Sequence, residues 1–228
     1  LIKLQNNKVI LIHLGMTGKI FIRNKKTDST LVTSFYYNRE FNKKHNHLIL
    51  YLDNSTELIY NDVRKFGFIK IYETKKLQFS SHLKKLGPEP LSINFNKDYF
   101  KKNIKRRKIY LKDLLMDQKF LAGLGNIYVN EAIFLSKINP KTKVSNLPNG
   151  KISALVFYIK KILKKAIKEG GSSIKDFNNI KGKKGNFQQF FNVYGKEGYS
   201  CTRPNCIGII KRIKISNRST FFCKICQK

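Results

Sequence analysis

Through the first 80 residues, apolar side chains alternate with polar ones or gather in short runs. Lys8-Val-Ile-Leu-Ile-His-Leu14, Lys19-Ile-Phe-Ile-Arg23, His47-Leu-Ile-Leu-Tyr-Leu52, Glu57-Leu-Ile-Tyr60 and Phe66-Gly-Phe-Ile-Lys-Ile-Tyr72 are rich in β-branched and aromatic residues. Such side chains fit a pleated, half-buried surface. Gly15, Gly18 and Asp53-Asn54-Ser55 supply turns between them. Short strands at this spacing predict an antiparallel β-sandwich. Leu86-Gly-Pro-Glu-Pro-Leu91 can continue neither a strand nor a helix, because each proline fixes φ and removes a backbone donor. A domain boundary is therefore expected at 85/86.

After that boundary the period becomes helical. Asn96 is placed to cap a basic helix reaching about Lys105, and Leu111 to Gln118 is a second short run. Phe120-Leu-Ala-Gly-Leu-Gly-Asn126 is a turn, and Ile127 to Lys137 is helical until Pro140. The longest helix spans Lys151 to Glu169. Its stripe of Ile152, Leu155, Val156, Ile159, Ile162, Leu163, Ala166 and Ile167 recurs at spacing three and four and predicts core. Gly170-Gly171 closes it. Lys160, Lys161, Lys164, Lys165 and Lys168 lie beside the stripe, as a solvated face or as a track for phosphates. Residues 181–187 read as a mobile loop.

Four cysteines fall in the last eighth of the chain. Cys201 and Cys206 enclose four residues, Cys223 and Cys226 enclose two, and sixteen residues separate the pairs. This spacing predicts one structural zinc ion held by four sulfurs. A disulfide reading is disfavoured by the absence of a secretion signal and of other cysteines. Between the pairs, two β-rich stretches flank Ser216-Asn-Arg-Ser219, which predicts a hairpin with Arg218 at its tip.

Charge adds the partner. With 46 Lys plus Arg against 14 Asp plus Glu, the net charge is +32, which calls for a polyanion: nucleic acid first, anionic lipid second. No apolar run reaches the roughly 18 residues a membrane span needs. Only eight of the cations are arginine. These mark specific contacts better than the lysines, since a guanidinium forks onto phosphate or base edges. The turn Gly123-Leu-Gly-Asn126 offers a second anion site. Its glycines admit close backbone approach, Asn126 is expected to cap the next helix, and helix-start amides attract phosphate. An ordinary helix–helix corner fits that motif equally well.

Taken together, the turn and the cysteine hairpin resemble the helix–two-turn–helix and zinc finger of the formamidopyrimidine-DNA glycosylase family, which includes the endonuclease VIII enzymes. His13-Leu-Gly-Met-Thr-Gly18, Asp62-Val-Arg-Lys-Phe-Gly67, Leu86-Gly-Pro-Glu-Pro-Leu91, Met116-Asp-Gln-Lys119, Gly125-Asn-Ile-Tyr128, Asp176-Phe177 and Val193-Tyr-Gly195 follow the family's order. The resemblance implies an α+β fold: an N-terminal antiparallel β-sandwich, here incomplete, over 1–85; a helix–two-turn–helix domain over 86–195; and a β-hairpin zinc finger over 196–228, with DNA held between sandwich and helices. By the same resemblance, Met16, Arg64 and Phe66 fill the gap left by an extruded nucleotide. His45, Arg107 and Asn126 contact DNA, and Arg218 serves the lesion phosphate and the final elimination. Val63 stands where the family usually has proline, so a slightly looser loop is expected.

The implied activity is base-excision repair: a glycosylase and AP lyase removing oxidised purines (8-oxoguanine, formamidopyrimidines) from double-stranded damaged DNA by β,δ-elimination. The expected protein is a monomer in the bacterial cytoplasm, associated with the nucleoid and not with a membrane. The purine choice rests on Gly170 to Phe177 and the following 178–190 segment, which resembles a lesion-capping loop. An endonuclease VIII-type enzyme for oxidised pyrimidines, expected to be shorter there, is the alternative. The family's N-terminal proline amine, its adjacent glutamate and a strand-end lysine have no counterpart in the 228 residues. The chain begins at Leu1 and reads as part of a longer or processed protein, expected by itself to bind lesion DNA without covalent chemistry. A non-catalytic DNA-binding module is the third reading.

Overall fold

The computed structural model describes residues 1–27, 29–32, 42–105, 107–172 and 186–228. It divides into two compact units. One holds residues 1–84 with the described part of 168–189; the other holds 85–167 with 190–228.

The first unit is built from antiparallel strands, as the alternation predicts. They are β1 (Ile2–Lys3), β2 (Lys8–His13), β3 (Gly18–Asn24), β4 (Ser29–Val32), β5 (Asn46–Leu52), β6 (Thr56–Asp62) and β7 (Phe68–Glu73). One sheet has the order β1-β2-β7 and the other β4-β3-β6-β5. Register follows the pattern: Ile10 lies opposite Ile71, and Phe21 opposite Ile59. Val9, Ile10, Leu11, Phe21, Ile59 and Tyr60 are buried. Strand β5 is an edge, and its Tyr51 is 72% exposed. Strand β7 begins two residues later than the sequence predicts, because Lys65 takes a left-handed φ of 56° and residues 63–67 form a loop.

The second unit holds α1 (Lys97–Ile104), α2 (Leu111–Met116), α3 (Asn126–Leu135) and α4 (Asn149–Lys168), then the hairpin of β8 (Ile210–Ile215) and β9 (Arg218–Cys223). Asn96 caps α1 as predicted, its side-chain oxygen accepting from Tyr99 N at 2.9 Å. On α4, Ile152, Leu155 and Ile159 are essentially sealed from solvent. Ile167 departs from the expected core and is 67% exposed, since it sits at the margin of the stripe on the last turn. Among the lysines of α4, Lys160 donates to Ser92 O at 3.0 Å, while Lys165 lies 3.4 Å from the centre of the Phe190 ring. These stems pack on the protein as well as facing water. Gly170 and Gly171 end the helix with positive φ.

The sequence separates the hairpin from the helices at 196, whereas packing groups them. Phe134 of α3, Val193, Cys201, Ile210, Phe221 and Cys223 form one buried cluster. A metal-sized hairpin has little core of its own and must share one. Among the described residues, no helix is long and apolar enough to cross a membrane.

Candidate nucleic-acid interface and metal centre

In the first unit, the chain between β2 and β3 and the loop after β6 are tied to one carboxylate. Asp62 is fully buried and accepts from Thr17 Oγ1 (2.5 Å), Tyr60 Oη (3.0 Å), Gly67 N (2.9 Å) and Arg64 N (3.2 Å). Burial works against its charge, but the Thr17 hydroxyl, the Gly67 amide and the other donors hold the carboxyl below its usual range. Burial, with Asp62 beside it, pushes Tyr60 up to about 12. Gly67 has no room for a Cβ, which would meet the Tyr60 hydroxyl. The loop expected to be loosened at Val63 is thus pinned on both sides of that residue.

This frame presents three of the predicted residues together. Arg64 Nη1 donates to Met16 Sδ at 3.6 Å, and the Arg64 guanidinium carbon lies 4.4 Å from the centre of the Phe66 ring. Met16 and Phe66 are each 59% exposed. Holding two large apolar side chains outward is costly in water, and a cation stacked on one of them keeps the group ordered. His45 ends a 3₁₀ turn, Lys43–His45, just before β5. Among the described residues, no hydrogen bond or ring contact joins it to the cluster. Its turn is tied to β6 by Asn61, whose amide donates to Asn42 O and Asn46 Oδ1.

In the second unit, the glycine corner is held by Gln118, which accepts from Gly123 N at 2.7 Å and donates to Leu124 O at 3.3 Å. Gly123 has φ 88°, and a Cβ at Gly123 or Gly125 would meet nothing within 4 Å, so the corner opens onto free space. Asn126 does not cap α3 as the sequence suggests. Gly125, with extended backbone, occupies the cap, and Asn126 is the first helical residue. Its amide instead donates to Ser219 O at 3.1 Å, beside Arg218. The corner and the hairpin tip therefore meet. Arg218 is exposed and opens β9 after a two-residue turn, Ser216-Asn217, in which both residues have positive φ. Arg107 is half-buried after α1, its backbone N–H donating to Ile104 O at 3.0 Å; its neighbour Arg106 lies outside the described residues.

Two anchors beneath the tip escape a sequence reading. Lys112 of α2 is 1% exposed, and its Nζ donates to Ser219 O (2.8 Å) and Thr220 Oγ1 (2.6 Å). Burial, reinforced by the Arg218 charge, pushes it down to about 8. Asn130 Oδ1 accepts from Phe221 N at 2.7 Å. On the far face of α3, the buried Glu131 accepts from the backbone N of Asn192, Val193 and Tyr194 and from the Asn192 side chain. The only signal is a pair of adjacent polar residues inside a helical run, Lys112-Asp113 or Asn130-Glu131, which does not reveal a partner 60 or 100 residues away.

The four cysteines converge. Their sulfurs lie within 4.8 Å of one another, with Cys201–Cys226 at 3.7 Å and Cys206–Cys223 at 3.6 Å. A tetrahedron with metal–sulfur bonds of about 2.3 Å has edges of about 3.8 Å, so the donor set fits a metal ion. Gly208 belongs to the same geometry, since a Cβ there would come 2.5 Å from Cys223 Sγ. Burial pushes the Cys201 thiol up to about 12, opposed by the Arg203 backbone N–H. Burial also raises Cys226, opposed last by the Arg203 side chain.

The structure thus brings together Met16, Arg64 and Phe66, then Asn126 and Arg218, then the four cysteines. Asp176, Phe177 and most of the 178–190 loop expected to select the lesion lie outside the described residues.

Two family models match the chain: the formamidopyrimidine-DNA glycosylase N-terminal domain over residues 1–69 and its H2TH domain over 86–178. The formamidopyrimidine-DNA glycosylase of Ruegeria pomeroyi is 39% identical over 225 residues, spanning 99% of this chain and 78% of that protein. The enzyme of that name from Rhodopseudomonas palustris strain HaA2 is also 39% identical, over 98% of this chain and 78% of its own length. Among solved structures, Lactococcus lactis Fpg bound to abasic-site DNA has a TM-score of 0.79 at 35% identity, over 98% of this chain and 76% of that one. The same enzyme with Fapy-dG DNA gives 0.80 at 36%, with the same coverage. The chain belongs to the formamidopyrimidine-DNA glycosylase family.

Proposed function

We propose that the chain carries the lesion-binding machinery of a base-excision-repair DNA glycosylase and AP lyase that removes oxidised purines from double-stranded DNA, acting as a monomer in the bacterial cytoplasm. The observation that carries the reading is the outward cluster of Met16, Arg64 and Phe66. Base chemistry inside a duplex requires the nucleotide to leave the stack, at a cost of a few kcal/mol. Two apolar side chains of this size fill the vacated space, and the guanidinium offers donors to the orphaned base. In the second unit, the glycine corner and the start of α3, with Asn126 as its first residue, suit a phosphate. Arg218, projecting from the hairpin, suits the phosphate beside the lesion. His45 and Arg107 are read as further backbone contacts, which position DNA without reading sequence. The ion held by Cys201, Cys206, Cys223 and Cys226 is read as zinc, since four thiolates in a closed tetrahedral set favour it. It keeps the Arg218 hairpin rigid and takes no part in the chemistry.

Equilibrium binding to an abasic-analogue duplex and to its undamaged match tests this. Met16→Ala, Arg64→Ala and Phe66→Ala should each weaken lesion binding by about tenfold, the 1–3 kcal/mol of such a contact, while undamaged binding stays unchanged. Equal losses on both duplexes would remove the wedge reading. Competition between formamidopyrimidine and oxidised-pyrimidine duplexes decides the lesion class, with the purine lesion expected to win.

A further inference from the structure

The solvent face of α4 carries a residue that the packing of the helix does not explain. At about 100° per residue, Leu155, Ile159, Ile162 and Ala166 share the buried side, and Phe157, Lys161 and Lys164 lie on the side turned away from it. Phe157 is 58% exposed. A large apolar ring in the middle of a solvated helix face is a pattern error unless something uses it. The ring is held in place all the same: Lys161 Nζ lies 5.7 Å from its centre, and the Tyr158 ring meets it edge-on at 5.2 Å and 73°. Charge around it has one sign. Six lysines and no acid occur in the 20 residues of α4, and among the described residues none of these lysines is ion-paired. Lys165 on the flank repeats the arrangement, 3.4 Å from the centre of the Phe190 ring, which is 40% exposed.

We propose that this face is a second nucleic-acid surface, for single-stranded DNA: Phe157 stacks on an unpaired base, and Lys161 and Lys164 hold the phosphates beside it. Cations that track the backbone and aromatic rings that take the bases are how single strands are held without sequence preference. A duplex keeps its bases paired inside and would leave Phe157 without a partner. A membrane needs a broad apolar face, and the apolar stripe of α4 is spent on the core. The surface is separate from the glycine corner. Leu163 and Ile167 border the cavity beside Gly123, and they lie about 80–120° around the helix from Phe157. The choice of DNA over RNA rests on the proposed function; the surface itself does not.

Fluorescence anisotropy of a labelled thymidine oligonucleotide on the full chain tests this, with an abasic-analogue duplex measured in parallel. Phe157→Leu keeps an apolar side chain on the helix and removes the ring, and Phe157→Tyr keeps the ring. Phe157→Leu should weaken oligonucleotide binding about tenfold, the effect of one lost base stack, while Phe157→Tyr retains it and duplex affinity stays at the parent's in both. Lys161→Ser with Lys164→Ser should lower the log–log salt slope for the oligonucleotide by about 1.4, two phosphates at about 0.7 each. Oligonucleotide affinity unchanged in Phe157→Leu, or equal losses on oligonucleotide and duplex, overturns the proposal. Binding to anionic vesicles that depends on Phe157, in place of oligonucleotide binding, overturns it as well. A uridine oligonucleotide that binds tighter than the thymidine one overturns the choice of DNA. A parent chain that binds the duplex and not the oligonucleotide removes this surface alone, whereas one that binds neither removes the proposed function too, so the two failures are distinct.

Discussion

At the scale of single residues, the polar side chains inside the second unit do the positioning. Lys112 is the sharpest case. It gives the hairpin tip two hydrogen bonds from a buried ammonium, and its pKa falls from 10.5 to about 8. A base whose folded pKa is depressed binds fewer protons folded than unfolded across that window, so stability rises with pH from about 8 to 10.5 and is lowest below it. The difference in unfolding free energy between the parent and Lys112→Met should therefore grow with pH over this range. A pH-independent difference would mean that the ammonium is solvated. At pH 7 the same substitution takes the donor from Thr220 Oγ1 and leaves Ser219 O with Asn126 alone, a loss of about 1–3 kcal/mol, partly offset by removing a desolvated charge. Asp62 runs the other way. Its depressed pKa contributes stability above the ordinary carboxylate value of 3.8, and that contribution is lost as pH falls through its folded value.

At the scale of elements, the hairpin turn and α4 invite contrasting tests. Ser216 and Asn217 both adopt positive φ, 46° and 59°, as the turn that matches strand twist demands. Replacing them together by Ser216→Asn and Asn217→Gly should stabilise the protein by about 1 kcal/mol, since the left-handed region costs other residues about 1–2 kcal/mol. A lower thermal midpoint would contradict this turn assignment. On α4, Leu155→Ala should cost about 2–5 kcal/mol because Leu155 is wholly buried. Ile167→Ala, on the exposed margin, should stay within about 0.5 kcal/mol. Denaturant midpoints separate the two.

At the scale of the molecule, the net charge of +32 and an ion held by the four sulfurs are expected to act on DNA binding in different ways. Charge makes affinity salt-dependent through counterion release, with a log–log slope near −0.9 for each phosphate neutralised. Undamaged-duplex affinity should fall steeply with salt. Arg107→Ala should shrink the slope by about one phosphate, whereas Phe66→Ala should leave it intact. Chelation should act through structure. The sulfurs share a buried cluster with Phe134 of α3, so metal removal should lower the melting temperature of the second unit as well as abolish lesion binding. Unchanged melting would show that the hairpin stands without its ion.

The sequence by itself determined five of the seven strands of the first unit, the helices and the four-sulfur set. These depend on residues close in the chain or on a spacing that the metal imposes. Resemblance supplied the roles expected of Met16, Arg64, Phe66 and Arg218. Tertiary structure decided where long-range polar partners lie: Lys112 with Thr220, Glu131 with Val193, and Asn126 with Ser219 in place of its expected cap. It also turned Ile167 outward and joined the hairpin to the helices. Hydrogen bonds between residues 60 to 110 apart leave no period in the sequence, because periodicity records only which face of an element is buried and not what lies across from it.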